Sequence, residues 1–370
     1  MSIERQLILW TAAFAALCLL LALLGAAVTP FALGIVLGYL LDPIVKKLER
    51  LGFNRLGASL FILVVFVLIL ALIFILVAPI LGNQLFGFMR SLPTYVTRLQ
   101  QLAVDEGNQL LDKYAGAWRD KLGLAEPLST EQIQKSVGDL VTQGAQWLLN
   151  FSHSLVSGGK ALVGFLSFLV ITPVVAFYIL VDWEKMIASI DNLLPRDHYK
   201  TLHQIAREID IAMAGFLRGQ FLVCLFLGFW YGVGLTVIGL DYGFLIGVSA
   251  GVLSFVPYVG SLTALVFSLG VAVVQGWPHW GLFLSALAVV GSGQFLEGNV
   301  LSPKLVGESV GLHPVWVMFA LVAFGALFGF TGLLIAVPVA AAIGVVARHM
   351  LAAYRAGPLY RGSAGVEETP

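Results

Sequence analysis

A chain of 370 residues that is 59% hydrophobic and only 11% charged, with a mean hydropathy of +0.93, lacks the polar surface that a water-soluble domain needs. Its 21 Lys and Arg balance its 21 Asp and Glu, which leaves no basic surplus to hold a nucleic acid. Residues 242–296 and 309–347 contain no Asp, Glu, Lys or Arg at all. A charge near the bilayer centre is costly, so runs of this kind point to an all-α polytopic membrane protein.

In chain order, residues 7–28 are long enough to span. With Arg5 before them and Gly25, Ala26 and Ala27 at their end, they resemble a signal peptide. Their span length, and the apolar segment that follows at once, favour a retained first helix. Thr29-Pro30 reads as a turn. Residues 31–45 form a second segment, short for a span, that either tilts little or ends early at Asp42-Pro43. Lys46, Lys47, Arg50 and Arg55 then cluster in a loop. The positive-inside rule makes that loop cytoplasmic and places the N-terminus on the same side.

Residues 58–81 form the third span, which completes an N-terminal region of residues 1–81. Residues 82–159 mix charges with Gln, Pro93 and Pro127 and read as an outer, soluble or interfacial helical segment. The fourth span, within 160–181, is broken near Pro173 and ended by Asp182. Residues 182–218 read as a cytoplasmic connector. In it Leu202, Ile205, Ile209, Ala212 and Phe216 recur at helical spacing. A C-terminal transmembrane core of residues 219–347 follows. The tail, 348–370, carries Arg348, Arg355 and Arg361, which put the C-terminus inside.

Two stretches of that core, 243–274 and 315–346, would each be about 48 Å long as one helix, against a hydrocarbon core of about 30 Å. Each is too long for one upright span and too short for two. A kinked helix or a re-entrant helical hairpin fits both, giving about eight hydrophobic segments in all. The breaks fall at residues 255–260, which include Pro257 and Gly260, and at 328–332, which include Gly329 and Gly332. Paired, interrupted apolar segments point to a transporter's binding site. Between them, 280–295 read as one more span. Loop charge is satisfied equally by eight through-spans and by two re-entrant hairpins.

The residues 247–251 match the serine-nucleophile pattern G-x-S-x-G, but in an apolar helix without acid or base. Gly243, Gly247 and Gly251, four apart, read instead as a ridge for close helix packing. Cys18 and Cys224 are distant and lie in apolar runs. No zinc spacing or Walker loop occurs, so neither an enzyme nor an ATP-driven pump is expected, and no cofactor or metal. Glu297, at the end of an apolar run and flanked by Gln294 and Asn299, could take a proton or sodium ion or hydrogen-bond a solute. The bland alternative has it capping a helix or pairing with Lys304. Arg218 and Gln220 enter the fifth span and Asp182 leaves the fourth, as gating or interfacial groups. Trp277, Trp280 and Trp316 suit an interfacial belt.

Taken together, residues 31–43 (FALGIVLGYLLDP), 172–183 (TPVVAFYILVDW), 217–220 (LRGQ), 247–260 (GVSAGVLSFVPYVG), 294–314 (QFLEGNVLSPKLVGESVGLHP) and 325–338 (GALFGFTGLLIAVP) resemble the autoinducer-2 exporter family, also known as PerM-like permeases. The resemblance covers nearly the whole chain and is weakest over 82–159. One departure is Val181, which stands before Asp182 where Arg or Lys is expected.

The resemblance implies a bacterial inner-membrane secondary transporter, homo-oligomeric. It would export a small polar organic solute such as autoinducer-2, or exchange sodium or lithium for protons. On that reading the two interrupted segments form a midplane site. Glu297 couples transport to a proton or sodium gradient, and Asn299 and Gln294 supply hydrogen bonds. A non-transporting membrane scaffold or regulator is the reading from another class.

Overall fold

The computed structural model of the protein describes residues 25–110, 159–193, 199–306, 311–357 and 360. Expectations that concern residues 1–24, 111–158 and the last residues lie outside this set. Among the described residues every regular element is helical: α1 (Gly25–Arg50), α2 (Arg55–Leu110), α3 (Gly159–Leu193), α4 (Tyr199–Val237), α5 (Gly243–Leu253), α6 (Val259–Gly276), α7 (Gly281–Leu296), a π-helix (Glu297–Val306) and α8 (Pro314–Ala356). Five stretches among them are long and apolar enough to cross a membrane. Side chains such as Leu68, Phe74, Ile75 and Val237 are 61–78% exposed. An apolar surface of that extent is stable against lipid and not against water. Trp280 and Trp316 are also exposed, as a belt residue should be.

The chain divides into two compact units. Met1–Leu70, Ser167–Cys224 and Leu296–Pro370 form the first; Ala71–Leu166 and Leu225–Phe295 form the second. In the first, Leu41 and Val45 of α1 pack with Ala58, Ile62 and Leu63 of α2 and with Ala176 and Leu180 of α3. A β-carbon on Gly34 or Gly38 would come within 2.7 Å of Val175 or 2.6 Å of Ile179. Only glycine lets α1 and α3 approach that closely. The turn into α2 is closed by Asn54, whose Oδ1 accepts the Gly57 N–H at 3.0 Å.

Four boundaries marked in the sequence do not coincide with helix ends. Helix α1 passes straight through Thr29-Pro30 and Asp42-Pro43. A proline removes one i→i−4 bond from a helix, and in a membrane bundle neighbours and hydroxyl side chains compensate for it. Asp182 does not end a helix either, since α3 continues to Leu193. Helix α2 runs unbroken from Arg55 to Leu110, across residue 81. The predicted amphipathic segment is the first half of α4. Its apolar stripe culminates in Ala212 and Phe216, 5% and 3% exposed.

Both long uncharged stretches fold as helical hairpins. In the second unit, α5 has 11 residues, a rise of about 16 Å, which reaches only mid-bilayer. The chain reverses over Ser254–Tyr258, and α6 packs back against α5. Gln275 closes the base: its Oε1 accepts the Asp241 N–H and its Nε2 donates to Gly239 O, both at 2.9 Å. Cysteines placed at the exposed positions Asp241 and His279 should therefore be labelled by an impermeant maleimide from one and the same face. Labelling from opposite faces would refute the hairpin.

In the first unit, α8 is interrupted at Gly329 (φ 59°, ψ −137°). Ala320 shares a cluster with Ala336 and Ala340. In a straight helix Ala320 and Ala336 would be about 24 Å apart, so the arms Pro314–Gly329 and Thr331–Ala356 must double back. Arg348 donates to Gly311 O at 3.2 Å and closes this base.

Candidate functional site

Each hairpin tip is built by glycine. In the second unit the tip contains Pro257, and Tyr258 holds a positive φ of 69°. A β-carbon on Gly260 would lie 2.1 Å from Ser254 Oγ and 2.5 Å from Ala250 O. Ser254 itself returns its hydroxyl proton to Ala250 O at 2.8 Å. The C-terminal end of α5 and the N-terminal end of α6 thus meet at the tip, where helix-end carbonyls and amides lack intrahelical partners.

In the first unit, a β-carbon on Gly332 would sit 1.8 Å from Phe324 O across the α8 break. Thr331, 5% exposed, meets the Thr29 hydroxyl of α1. This polar pair stands immediately beside Gly329, and α1 packs on α8 there.

The G-x-S-x-G pattern has no strand-to-helix turn. It lies inside α5, where a β-carbon on Gly247 would strike the Gly232 and Tyr231 backbone at 2.1–2.4 Å. Gly243 and Gly251 face Leu235 and Gly228. The ridge is a packing surface against α4.

Glu297 opens the π-helix Glu297–Val306, and Lys304 lies in its last turn. π-Helical geometry is rare and recurs at functional sites. Glu297 is half-buried, Asn299 and Lys304 are exposed, and Cys224 of α4 lies within electrostatic reach of the Glu297 carboxylate. Gln220, 7% exposed, precedes Cys224 by four residues and shares its helix face. Gln294, in the second unit, donates to the hydroxyl of fully buried Tyr231 at 2.9 Å.

Arg218 and Gln220 do not act together, because two residues apart on a helix they face different ways. Arg218 belongs to a cavity of about 420 Å³ lined by α1, α3 and α4, whose polar walls are Tyr39, Asp42, Lys46, Trp183, Asp210 and Arg218. Its construction follows from Pro43. Proline has no N–H, so the carbonyl four residues back, at Tyr39, is left open, and Arg218 Nε fills it at 3.0 Å. Asp42 is shared by Lys46 at 2.9 Å, Arg218 at 3.7 Å and Arg55 at 3.9 Å. The Tyr39 ring stands edge-on to Trp183 at 5.4 Å, and its hydroxyl pairs with Asp210. Asp182 instead pairs with Lys185 at 2.8 Å on the surface. Sequence reading missed Tyr39, Trp183 and Asp210. The legible signal was Tyr-x-x-x-Pro at the end of an apolar run, with an arginine at the edge of another.

Interrupted hairpins in two units, apolar outer faces and a carboxylate on a π-helix define a multi-pass membrane transporter. The sequence profile of AI-2E family transporters matches residues 7–352, and the chain belongs to that family. It is 29% identical to a Bacillus subtilis protein, YrrI, whose name assigns it to transport, over 87% of this chain and 86% of the relative. It is 30% identical to an Escherichia coli protein named as a permease, PerM, over 86% of this chain and 85% of that one.

Proposed function

We propose that this transporter carries a small polar organic solute outward across the bacterial inner membrane, with autoinducer-2 as the cargo the family name suggests. The observation that carries the reading is the pair of hairpins, each reversing inside an uncharged stretch, one over Ser254–Tyr258 and the other at Gly329. Interrupted helices place helix ends and their dipoles at membrane depth, where they can stand in for a solute's water. Glu297 takes up and releases the coupling proton, with Asn299 two residues on as a polar neighbour. The Lys46, Lys47, Arg50 and Arg55 cluster supports a cytoplasmic N-terminus, and Arg348, Arg355 and Arg361 support a cytoplasmic C-terminus. The working form is a homo-oligomer.

The test is paired flux measurement in proteoliposomes. Autoinducer-2 loaded inside should leave faster than from protein-free vesicles, and faster again under an imposed proton gradient. Proton movement driven by sodium or lithium alone, with no solute flux, would replace this reading by cation/proton antiport. Folded protein with neither flux would leave a scaffold.

A further inference from the structure

We propose that the cavity between α1, α3 and α4 is a headgroup site for a zwitterionic phospholipid bearing a primary amine. The inference does not depend on which solute is transported. The cavity sits where all three helices change from apolar to charged. The apolar part of α1 gives way to Asp42 and Lys46, that of α3 to Asp182, and the charged half of α4 ends at Arg218. Such a level is a membrane–water interface. Gly34 and Gly38 clamp α1 on α3 on its apolar side, and the helices part at the cavity. One wall is Ile211, 58% exposed, so the cavity opens on a lipid-facing surface.

The charges select the headgroup. Lys46 and Arg218 share the single carboxylate of Asp42, and the Arg218 fork retains N–H groups beyond its Tyr39 contact. That end suits a phosphate. Asp210 is engaged by the Tyr39 hydroxyl and by none of the described cations at ion-pair distance, so that end suits a cation with N–H donors. Two acids and two bases line the cavity, so a net anionic headgroup gains less than a neutral zwitterion. One tyrosine touches both ends, through its carbonyl and its hydroxyl. The ligand's opposite charges are therefore several bonds apart, as in phosphoethanolamine and not as in an α-amino acid. Trp183 and Tyr39 offer ring faces and edges to the ammonium and its methylenes.

The test is native mass spectrometry of the full chain, titrated separately with phosphatidylethanolamine, phosphatidylcholine and phosphatidylglycerol. The ethanolamine lipid should be retained at roughly tenfold lower concentration than the other two, the worth of one charge-assisted hydrogen bond. Asp210→Asn, an isosteric change at an exposed position, should erase the preference for ethanolamine over choline and leave phosphatidylglycerol unweakened. Arg218→Gln should weaken all three lipids. Should Arg218→Gln not fold, Asp210→Asn alone decides. Equal retention of the three lipids, or an unchanged preference in Asp210→Asn, overturns the proposal. So does displacement of the lipid by an equimolar amount of soluble glycerophosphoethanolamine, which would make the site one for a soluble zwitterion.

Discussion

Gly332→Ala should yield a protein that reaches the membrane but unfolds at markedly lower temperature in detergent and transports poorly. The added methyl would sit 1.8 Å from the Phe324 carbonyl oxygen, and a backbone atom cannot swing aside as a side-chain end can. Overpacking of this kind costs about 1–3 kcal/mol or more, and relief requires the two arms of α8 to separate. Separation would also loosen Ala320 from Ala336 and Ala340 and pull Thr331 from Thr29.

Two companions sharpen the test. Gly281→Ala, where nothing lies within 4 Å, should be neutral. Gly329→Ala meets no atom within 4 Å either, but must adopt φ 59° with ψ −137°, a conformation costing an L-residue about 1–3 kcal/mol. Normal melting and normal flux in Gly332→Ala would mean that the arms do not pack as described.

Much of this was legible before the fold, for a reason of length. A stretch of about 48 Å cannot sit in a bilayer core of about 30 Å as one upright helix. Proline and glycine then marked where the chain must turn: residues 255–260 overlap the observed reversal at Ser254–Tyr258, and 328–332 contain the one at Gly329. Sequence could not choose between kink and hairpin, because that depends on contacts across the arms. The Gln275 and Arg348 closures join residues about 35 positions apart, and no local pattern encodes them.

Proline also misled. Thr29-Pro30 and Asp42-Pro43 look like punctuation, yet one missing hydrogen bond does not stop a helix supported by its neighbours. At Pro43 the missing bond becomes the seat of Arg218. Asp182 reads as the end of a span, yet the helix that carries it continues to Leu193, since a charge marks a membrane surface and not the end of a helix. The cavity of Tyr39, Trp183 and Asp210 was invisible because its walls come from three segments brought together only by the glycine-tight α1–α3 contact and the apolar stripe of α4.

Glu297→Gln should leave a folded protein whose gradient-driven transport falls at least tenfold, equivalent to about 1.4 kcal/mol or more, while exchange of solute at equal pH on both sides persists. The substitution conserves shape and keeps a hydrogen-bonding end, but removes the only group in residues 242–307 that can carry a negative charge through ionisation of a carboxyl. Glu297 is half-buried at the first position of the π-helix, where widened turns leave backbone groups loosely held. On the proposed coupling role, its protonation state should follow which face of the membrane it senses. Wild-type flux should accordingly respond to a pH difference, and that response should vanish in Glu297→Gln. Lys304→Gln, seven residues on and exposed, is the control for loss of charge from the same helix and should leave the pH response intact. If Glu297→Gln transports normally under the gradient, the proton travels by another route. Apart from His279 and His313, the remaining polar groups of the uncharged stretches, Thr331 among them, carry no ionisable proton at physiological pH, so coupling would then have to reside in those histidines or in the charged residues at the membrane faces.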